Sequence, residues 1–325
     1  MATAEHTYLR AELEKRRERL QSAVHSAHRD ASLSQLLTDV DAALARMDHG
    51  IFGVCESCKG TIDPERILSD PLCRVCLSCL TKDEQRALEN DLTLAGNIQR
   101  ALLPGKDFAA PGWRIGYHYE PAGPVSGDYC DLIATPAGLL FLLGDVSGKG
   151  VAASMLMSHL HATFRSLAGA NLALERMVEA ANRLFCESTL ASHYATLVVG
   201  RASSDGAVEF VSAGHPPVLH VRADGVTPLA ATSVPLGMFC DTRFPVQRLS
   251  LGESEGLFLY TDGLTERENH LGQEYGLERI TRLVANRLAF APEQVLAECL
   301  QDLRSHAPGG KLDDDLTLLM LRRAA

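Results

Sequence analysis

The first 48 residues alternate charged stretches with apolar positions three or four apart. Leu9, Leu13, Leu20 and Val24 stand among Glu, Lys and Arg, and neither Gly nor Pro occurs before Gly50. This spacing predicts a helix starting near residue 5. Arg29-Asp30-Ala31-Ser32 then supplies capping residues, and Leu33, Leu36, Leu37, Val40 and Leu44 restart a 3.6-residue stripe. Each helix is amphipathic and must bury its stripe, most simply in an antiparallel hairpin over 1–49. Helix returns over 82–103, where Leu88, Leu92, Ala95, Ile98 and Leu102 recur at spacings of 4, 3, 3 and 4, before Pro104-Gly105 ends it. Two heptads suit a homodimer seam through this linker helix (82–104). They suit equally a face packed on the chain's own domain.

From about residue 108 the pattern changes to short apolar runs bounded by turn residues. Leu139-Leu140-Phe141-Leu142-Leu143, flanked by Gly138 and Gly144, reads as a buried strand. Ala195–Val199, Val208–Ser212, Pro217–Val221, Leu257–Tyr260 and Leu316–Leu321 read likewise. Val151–Leu167, Ala173–Phe185, Leu277–Leu288 and Pro292–Ser305 carry helical periodicity. Strands mixed with helix pairs predict an α+β layered domain over 105–325.

With 46% hydrophobic and 22% charged residues the chain is globular in composition. Its 31 Lys and Arg against 41 Asp and Glu give a net charge of −10. That balance argues against direct nucleic-acid binding and leaves carboxylates over for divalent cations. No apolar run approaches the ~18 residues of a membrane span, and the charged N-terminus lacks an apolar signal core. A cytoplasmic protein without a membrane partner is the expectation.

Five of the nine cysteines are Cys55, Cys58, Cys73, Cys76 and Cys79. Cys55-x2-Cys58 followed after 17 residues by Cys76-x2-Cys79 is the spacing of a four-thiolate site for one structural Zn²⁺. Each tight CxxC turn delivers two soft ligands, and a tetrahedral ion takes four. Cys73-x2-Cys76 is also a legal knuckle, but Cys73 is expected to stand outside the ligand set as a free thiol. Cys130, Cys186, Cys240 and Cys299 are scattered singly and expected as small buried apolar side chains. The stretch from Ala42 to Met47, then Gly50-Ile51-Phe52-Gly53-Val54-Cys55-Glu56-Ser57-Cys58, Ile62, Pro64-Glu65-Arg66 and the second CxxC resembles the DksA/TraR-type C4 zinc finger, placed here at 50–81. That family acts on RNA polymerase, in some members through an acidic coiled-coil tip. The hairpin of this chain is short and offers only Asp30 at its tip. A polymerase-binding regulator with the rest of the chain as scaffold is therefore the alternative reading, not the leading one.

Four acidic motifs lie beside the predicted strands: Ser126-Gly127-Asp128-Tyr129-Cys130-Asp131, Gly144-Asp145-Val146-Ser147-Gly148-Lys149-Gly150, Tyr260-Thr261-Asp262-Gly263 and Asp313-Asp314-Asp315-Leu316-Thr317. Taken singly, an Asp-Gly is a turn. Carboxylates converging from several strand ends would repel one another unless hard cations neutralise them. Gly144–Gly150 is no P-loop, because the glycine spacing is too short and Gly150 stands where the hydroxyl should be.

Together with Ile98-Gln99-Arg100-Ala101-Leu102-Leu103-Pro104, Ser212-Ala213-Gly214-His215-Pro216-Pro217 and Pro235-Leu236-Gly237, these motifs resemble the SpoIIE branch of the PPM-type metal-dependent protein serine/threonine phosphatases, from about Leu92 to Leu321. The resemblance implies a β-sandwich of two antiparallel sheets flanked by helices. It also implies two Mn²⁺ or Mg²⁺ ions at one end of the sandwich. Asp145 would bridge the ions, the Val146 carbonyl would bind one, and Asp128, Asp262 and Asp314 would complete the set. A water activated between the two metals would hydrolyse phosphoserine or phosphothreonine on a phosphorylated regulatory protein, such as an anti-sigma-factor antagonist. Asp131 and Asp315 are left between supporting roles and solvated neighbours. His215 is expected to pack rather than to act as an acid.

Overall fold

The computed structural model describes residues 3–26, 31–105, 108–136, 138–170, 172–189, 193–309 and 311–324. It divides into two compact units, residues 1–91 and 92–325. Part of the predicted capping stretch, Arg29 and Asp30, lies outside the described residues.

In the first unit, α1 (Thr3–Ser26) and α2 (Ala31–Asp48) form the hairpin, followed by α3 (Pro64–Ser69) and a 3-10 turn at Leu77–Cys79. The two helices run antiparallel, since Arg10 near the start of α1 pairs with Asp48 at the end of α2 at 2.6 Å. The 50–80 segment, too poor in apolar residues for a core of its own, shares the hairpin's. Cys55, Ile62 and Ile67 are buried with Leu9, Leu13, Leu20, Val40, Ala43, Leu44 and Met47. Hairpin and cysteine loops are thus one packed body. Helix α4 (Lys82–Leu102) follows.

Among the described residues the second unit has ten strands and five further helices: β1 (Trp113–Glu120), β2 (Asp128–Thr135), β3 (Gly138–Val146), α5 (Gly150–Ala168), α6 (Leu174–Ser188), β4 (Ala195–Ala202), β5 (Ala207–Ala213), β6 (Val218–Arg222), β7 (Gly225–Leu229), β8 (Gln247–Ser250), β9 (Gly256–Tyr260), α7 (Asp262–Thr265), α8 (Leu277–Ala285), α9 (Pro292–His306) and β10 (Leu316–Arg323). They build two antiparallel five-stranded sheets, in orders β1-β10-β9-β6-β7 and β2-β3-β4-β5-β8.

Strand alternation sorts the side chains into three cores. Leu139, Phe141 and Leu143 of β3, with Val198, Phe210, Leu257, Leu259, Leu319 and Leu321, fill the interior between the sheets. Leu140, Leu142 and Val146 turn the other way, against Met157, Leu160 and Phe164 of α5 and Met177, Val178, Ala181 and Phe185 of α6. On the far side, Phe258, Tyr260, Leu318 and Met320 pack on α8 and α9. The order of layers is helix, sheet, sheet, helix. A strand covered on both faces reads as an unbroken apolar run, which is why β3 is so plain in the sequence. Each fully buried Leu or Phe contributes roughly 1.5–3 kcal/mol.

Candidate active site and thiolate cluster

Asp128 and Asp145 are directly opposed in the β2–β3 ladder, and Thr196 of β4 lies opposite Asp145 on the other side. By alternation both aspartates face the sheet–sheet interior, at the end where β2 begins and β3 finishes. Asp128 is 1% exposed. Its Oδ2 accepts a hydrogen bond from Thr261 Oγ1 at 3.0 Å and another from Thr317 Oγ1, both from the facing sheet's end. Those threonines are tied together in turn, Thr317 N donating to Thr261 Oγ1 and Thr261 N to the Thr317 carbonyl, each at 3.0 Å. One carboxylate therefore joins both sheets at the site's edge.

The loop that enters β2 is pinned from two directions. Asp315 accepts from Ala122 N at 2.8 Å through Oδ1 and from Gly127 N at 2.9 Å through Oδ2. Gln99 of α4, almost fully buried, donates Nε2 to the Ser126 carbonyl at 2.6 Å and accepts from Ser126 N at 2.9 Å. Helix α4 reaches the loop because residue 96 is glycine: a Cβ there would stand 2.2 Å from the Pro124 carbonyl oxygen. Gly127 meets the same kind of limit, since its Cβ would lie 2.8 Å from the Val146 carbonyl oxygen and 3.2 Å from Asp145 Oδ1.

The electrostatics of this edge are those of crowded negative charge. Burial, and then the nearby charges of Asp262, Asp314 and Asp315, lift the Asp145 carboxyl to about 8. Asp262 is raised by burial and by Asp314. Burial and Asp145 hold Asp128 well above the ordinary carboxylate range. Asp128, Asp145 and Asp262, each raised by burial and by a neighbouring carboxylate, are unfavourable as a set until positive charge joins them, and oxygen-only donors suit hard divalent ions. The donor set therefore fits Mg²⁺ or Mn²⁺. Lys149 supplies one positive charge, with Nζ 2.8 Å from Asp314 Oδ2 and donating to the Asp313 carbonyl at 2.7 Å.

Two titratable residues singled out in the sequence are engaged by other partners. Asp131 is three positions from Asp128, so strand alternation turns it to the opposite face. It is completely buried there under α5, where Arg165 grips it with bonds of 2.8 and 2.6 Å and His161 approaches to 3.6 Å. His215 packs: burial pushes its pKa down to about 3, and its Nδ1 lies 2.9 Å from Thr196 Oγ1. The orienting partners Thr261, Thr317, Ser126 and Gln99 carried no role in the sequence reading. In the sequence Thr261, Thr317 and Ser126 stand only as neighbours of the aspartates, and Gln99 only as one residue of the Ile98–Pro104 motif.

In the first unit, the ligand atoms of Cys55, Cys58, Cys76 and Cys79 all lie within 4.8 Å of one another, the one such gathering among the described residues. Cys58 and Cys76 Sγ are 3.7 Å apart. Cys76 N donates to Cys55 Sγ at 3.3 Å, and backbone N–H groups of Cys58 and Cys76 lower the Cys55 thiol to about 6. Four convergent sulfurs, one of them already favoured as thiolate, fit a tetrahedral zinc site. Cys73 is not in the group, and burial raises its thiol pKa.

Residues 135–324 match the family model described as Stage II sporulation protein E (SpoIIE), and residues 50–85 match the prokaryotic dksA/traR C4-type zinc finger. Protein IcfG of Synechocystis is 26% identical over an alignment of 272 residues that covers 74% of this chain and 42% of that protein. Phosphoserine phosphatase RsbU of Bacillus subtilis is also 26% identical, over 74% of this chain and 72% of its own. The chain thus spans less than half of one curated relative and most of the other. The solved RsbU and RsbW domains of a Mycobacterium tuberculosis protein superpose with a TM-score of 0.59 at 31% identity, covering 69% of this chain and 62% of that one. With the family model covering more than half of its residues, the chain belongs to the SpoIIE family of PPM-type phosphatase domains, here preceded by a DksA/TraR-type zinc finger.

Proposed function

We propose that the chain is a cytoplasmic, metal-dependent protein phosphatase that hydrolyses phosphoserine or phosphothreonine on a bacterial regulatory protein of the anti-sigma-factor-antagonist kind. The observation that carries this is the opposed pair Asp128–Asp145 at the sandwich edge, with Asp145 raised to about 8 among further carboxylates. Asp128, Asp145, the Val146 carbonyl, Asp262 and Asp314 would hold two Mn²⁺ or Mg²⁺ ions. When bound, the ions neutralise these carboxylates, withdraw charge from the phosphoryl oxygens and bring a water's pKa near neutrality.

The chain's own part is placement. Thr261 and Thr317 fix the orientation of the Asp128 carboxylate, and Asp315 holds the 122–127 backbone against Val146. Lys149, exposed on its Asp314 side, balances the charge of that carboxylate. No side chain needs to attack phosphorus. Cys130, the nearest thiol along β2, is fully buried with its pKa strongly raised by burial, which makes it a poor nucleophile.

The zinc finger, with one Zn²⁺ on Cys55, Cys58, Cys76 and Cys79, serves in this reading as a regulatory module. Helix α4 leaves Leu88 and Ile98 exposed, at 38% and 58%, which favours pairing with a second copy along that seam. Hydrolysis of p-nitrophenyl phosphate and of a phosphoserine peptide tests the reading. Turnover with Mn²⁺ and none with EDTA supports it; no hydrolysis of either compound with Mn²⁺ or Mg²⁺ contradicts it.

A further inference from the structure

Two of the four scattered cysteines are not the buried apolar side chains their isolation suggests. Cys130 and Cys299 are buried, but Cys186 near the end of α6 is half-buried and Cys240 is exposed. Fifty-four positions apart in the sequence, they meet in the fold. The Cys186 thiol lies 3.8 Å from the carbonyl oxygen of Gly237, three residues before Cys240, and the Cys240 thiol is among the neighbours that raise its pKa.

Asn182 holds the pair together. It stands one turn before Cys186 on the same face of α6 and is completely buried. Its Nδ2 donates to the carbonyls of Phe239 at 2.9 Å and Cys240 at 3.1 Å, and its Oδ1 accepts from Gly237 N at 2.9 Å. One amide thus satisfies three backbone groups and docks the 237–240 segment on the helix. Just before the segment, Leu236 and Ala195 exchange two backbone hydrogen bonds of 2.8 and 2.9 Å, so its entry is also fixed. A thiol pair that met by chance on a loose surface would have no such support.

We propose that Cys186 and Cys240 form a redox-active dithiol that closes to a disulfide when a hydroperoxide oxidises the protein. Cys240, the accessible sulfur, attacks the peroxide as thiolate; the O–O bond breaks, giving a sulfenic acid and a hydroxide that takes up the proton the Cys240 thiol released and becomes water. The Cys186 sulfur then attacks the sulfenic sulfur, the S–S bond forms, and a second water leaves with the Cys186 proton. In sum, two thiols and hydrogen peroxide give one disulfide and two waters. The surroundings set this division of labour. Burial, Cys240, Asp241 and Glu187 push the Cys186 thiol up to about 11, which keeps it protonated until a partner sulfur is presented. The bond would fasten the segment bearing Met238 and Phe239, exposed at 46% and 66%, to α6.

The test is differential alkylation of the full, zinc-loaded chain. Folded protein is treated with hydrogen peroxide, free thiols are capped with iodoacetamide, and the digest is mapped by mass spectrometry. The expected product is a peptide pair joined through Cys186 and Cys240, two hydrogens lighter than its parts, reversed by dithiothreitol and missing from C186S and C240S. Recovery of Cys186 and Cys240 as separately alkylated thiols, or as separate sulfinic acids, would overturn the proposal.

Discussion

Gln99 and Ser126 are joined by a closed pair of hydrogen bonds, the Gln99 amide donating to the Ser126 carbonyl at 2.6 Å and accepting from its N–H at 2.9 Å. Ser126 in turn accepts from Asp128 N through its own Oγ at 3.0 Å. A helix side chain is thus two hydrogen bonds from a candidate metal ligand.

Gln99→Ala should therefore loosen the loop without touching any ligand. We expect kcat/KM for p-nitrophenyl phosphate to fall about 10- to 100-fold, as misplacement of a site by an ångström does. The metal concentration needed for half-maximal activity should rise with it. Unchanged kinetics in a folded variant would show that the α4 contact does not position the site.

The Asp131–Arg165 pair predicts a stability effect without a primary effect on chemistry. Arg165→Met leaves a fully buried carboxylate without its bidentate partner. Removing one partner of a wholly buried pair costs about 3–5 kcal/mol. Because the Arg165 side chain is 44% exposed and water screens the pair, we expect roughly 1–3 kcal/mol here. Chemical denaturation of the phosphatase unit in the full chain measures it, and the Mn²⁺ requirement should be unaltered.

The raised carboxyl of Asp145 sets a pH dependence with a definite sign. Its folded pKa of about 8 lies above the ordinary 3.8, so the metal-free folded state holds a proton that the unfolded state releases. That contribution to stability is complete below about pH 4 and disappears as pH rises through 8. Metal-free protein should lose melting temperature from pH 5 to 8. Saturating Mn²⁺ should flatten or reverse the trend, and apparent metal affinity should increase over the same window. Melting curves at fixed ionic strength, with and without Mn²⁺, read both.

Cys55, Ile62 and Ile67 share one core with the α1–α2 hairpin, so stripping zinc should affect more than the cysteine loops. We expect one zinc per chain by elemental analysis, lost in Cys55→Ser and retained in Cys73→Ser. Chelation should abolish amide-exchange protection in α2 as well as in 50–80. Retained protection in α2 would mean that the helices fold without the metal.

The sequence made the long features plain and hid the mixed ones. Strand β3 is apolar on both faces, and α5, α6 and α9 carry full helical stripes, so each could be read directly. Strand β2 could not, because Asp128 and Asp131 interrupt its apolar run although both are buried. Once β2 is known to be a strand, three positions of offset send those carboxylates to opposite faces, one to the site and one to Arg165. Strands β7 and β8 are short and only partly buried, with little apolar content to announce them. The aspartates themselves were legible as motifs. The threonines that orient Asp128 were not, because their role depends on the two sheets coming together.

The central claim rests on Asp145 and is tested most directly by Asp145→Asn. The variant keeps the side chain's shape and removes the charge that the site uses to hold cations, so the fold, checked by circular dichroism, should be intact. Initial rates on a phosphoserine peptide with saturating Mn²⁺ should fall by at least 100-fold relative to the parent chain. A folded variant that keeps a tenth or more of the parent's metal-dependent rate would contradict the account.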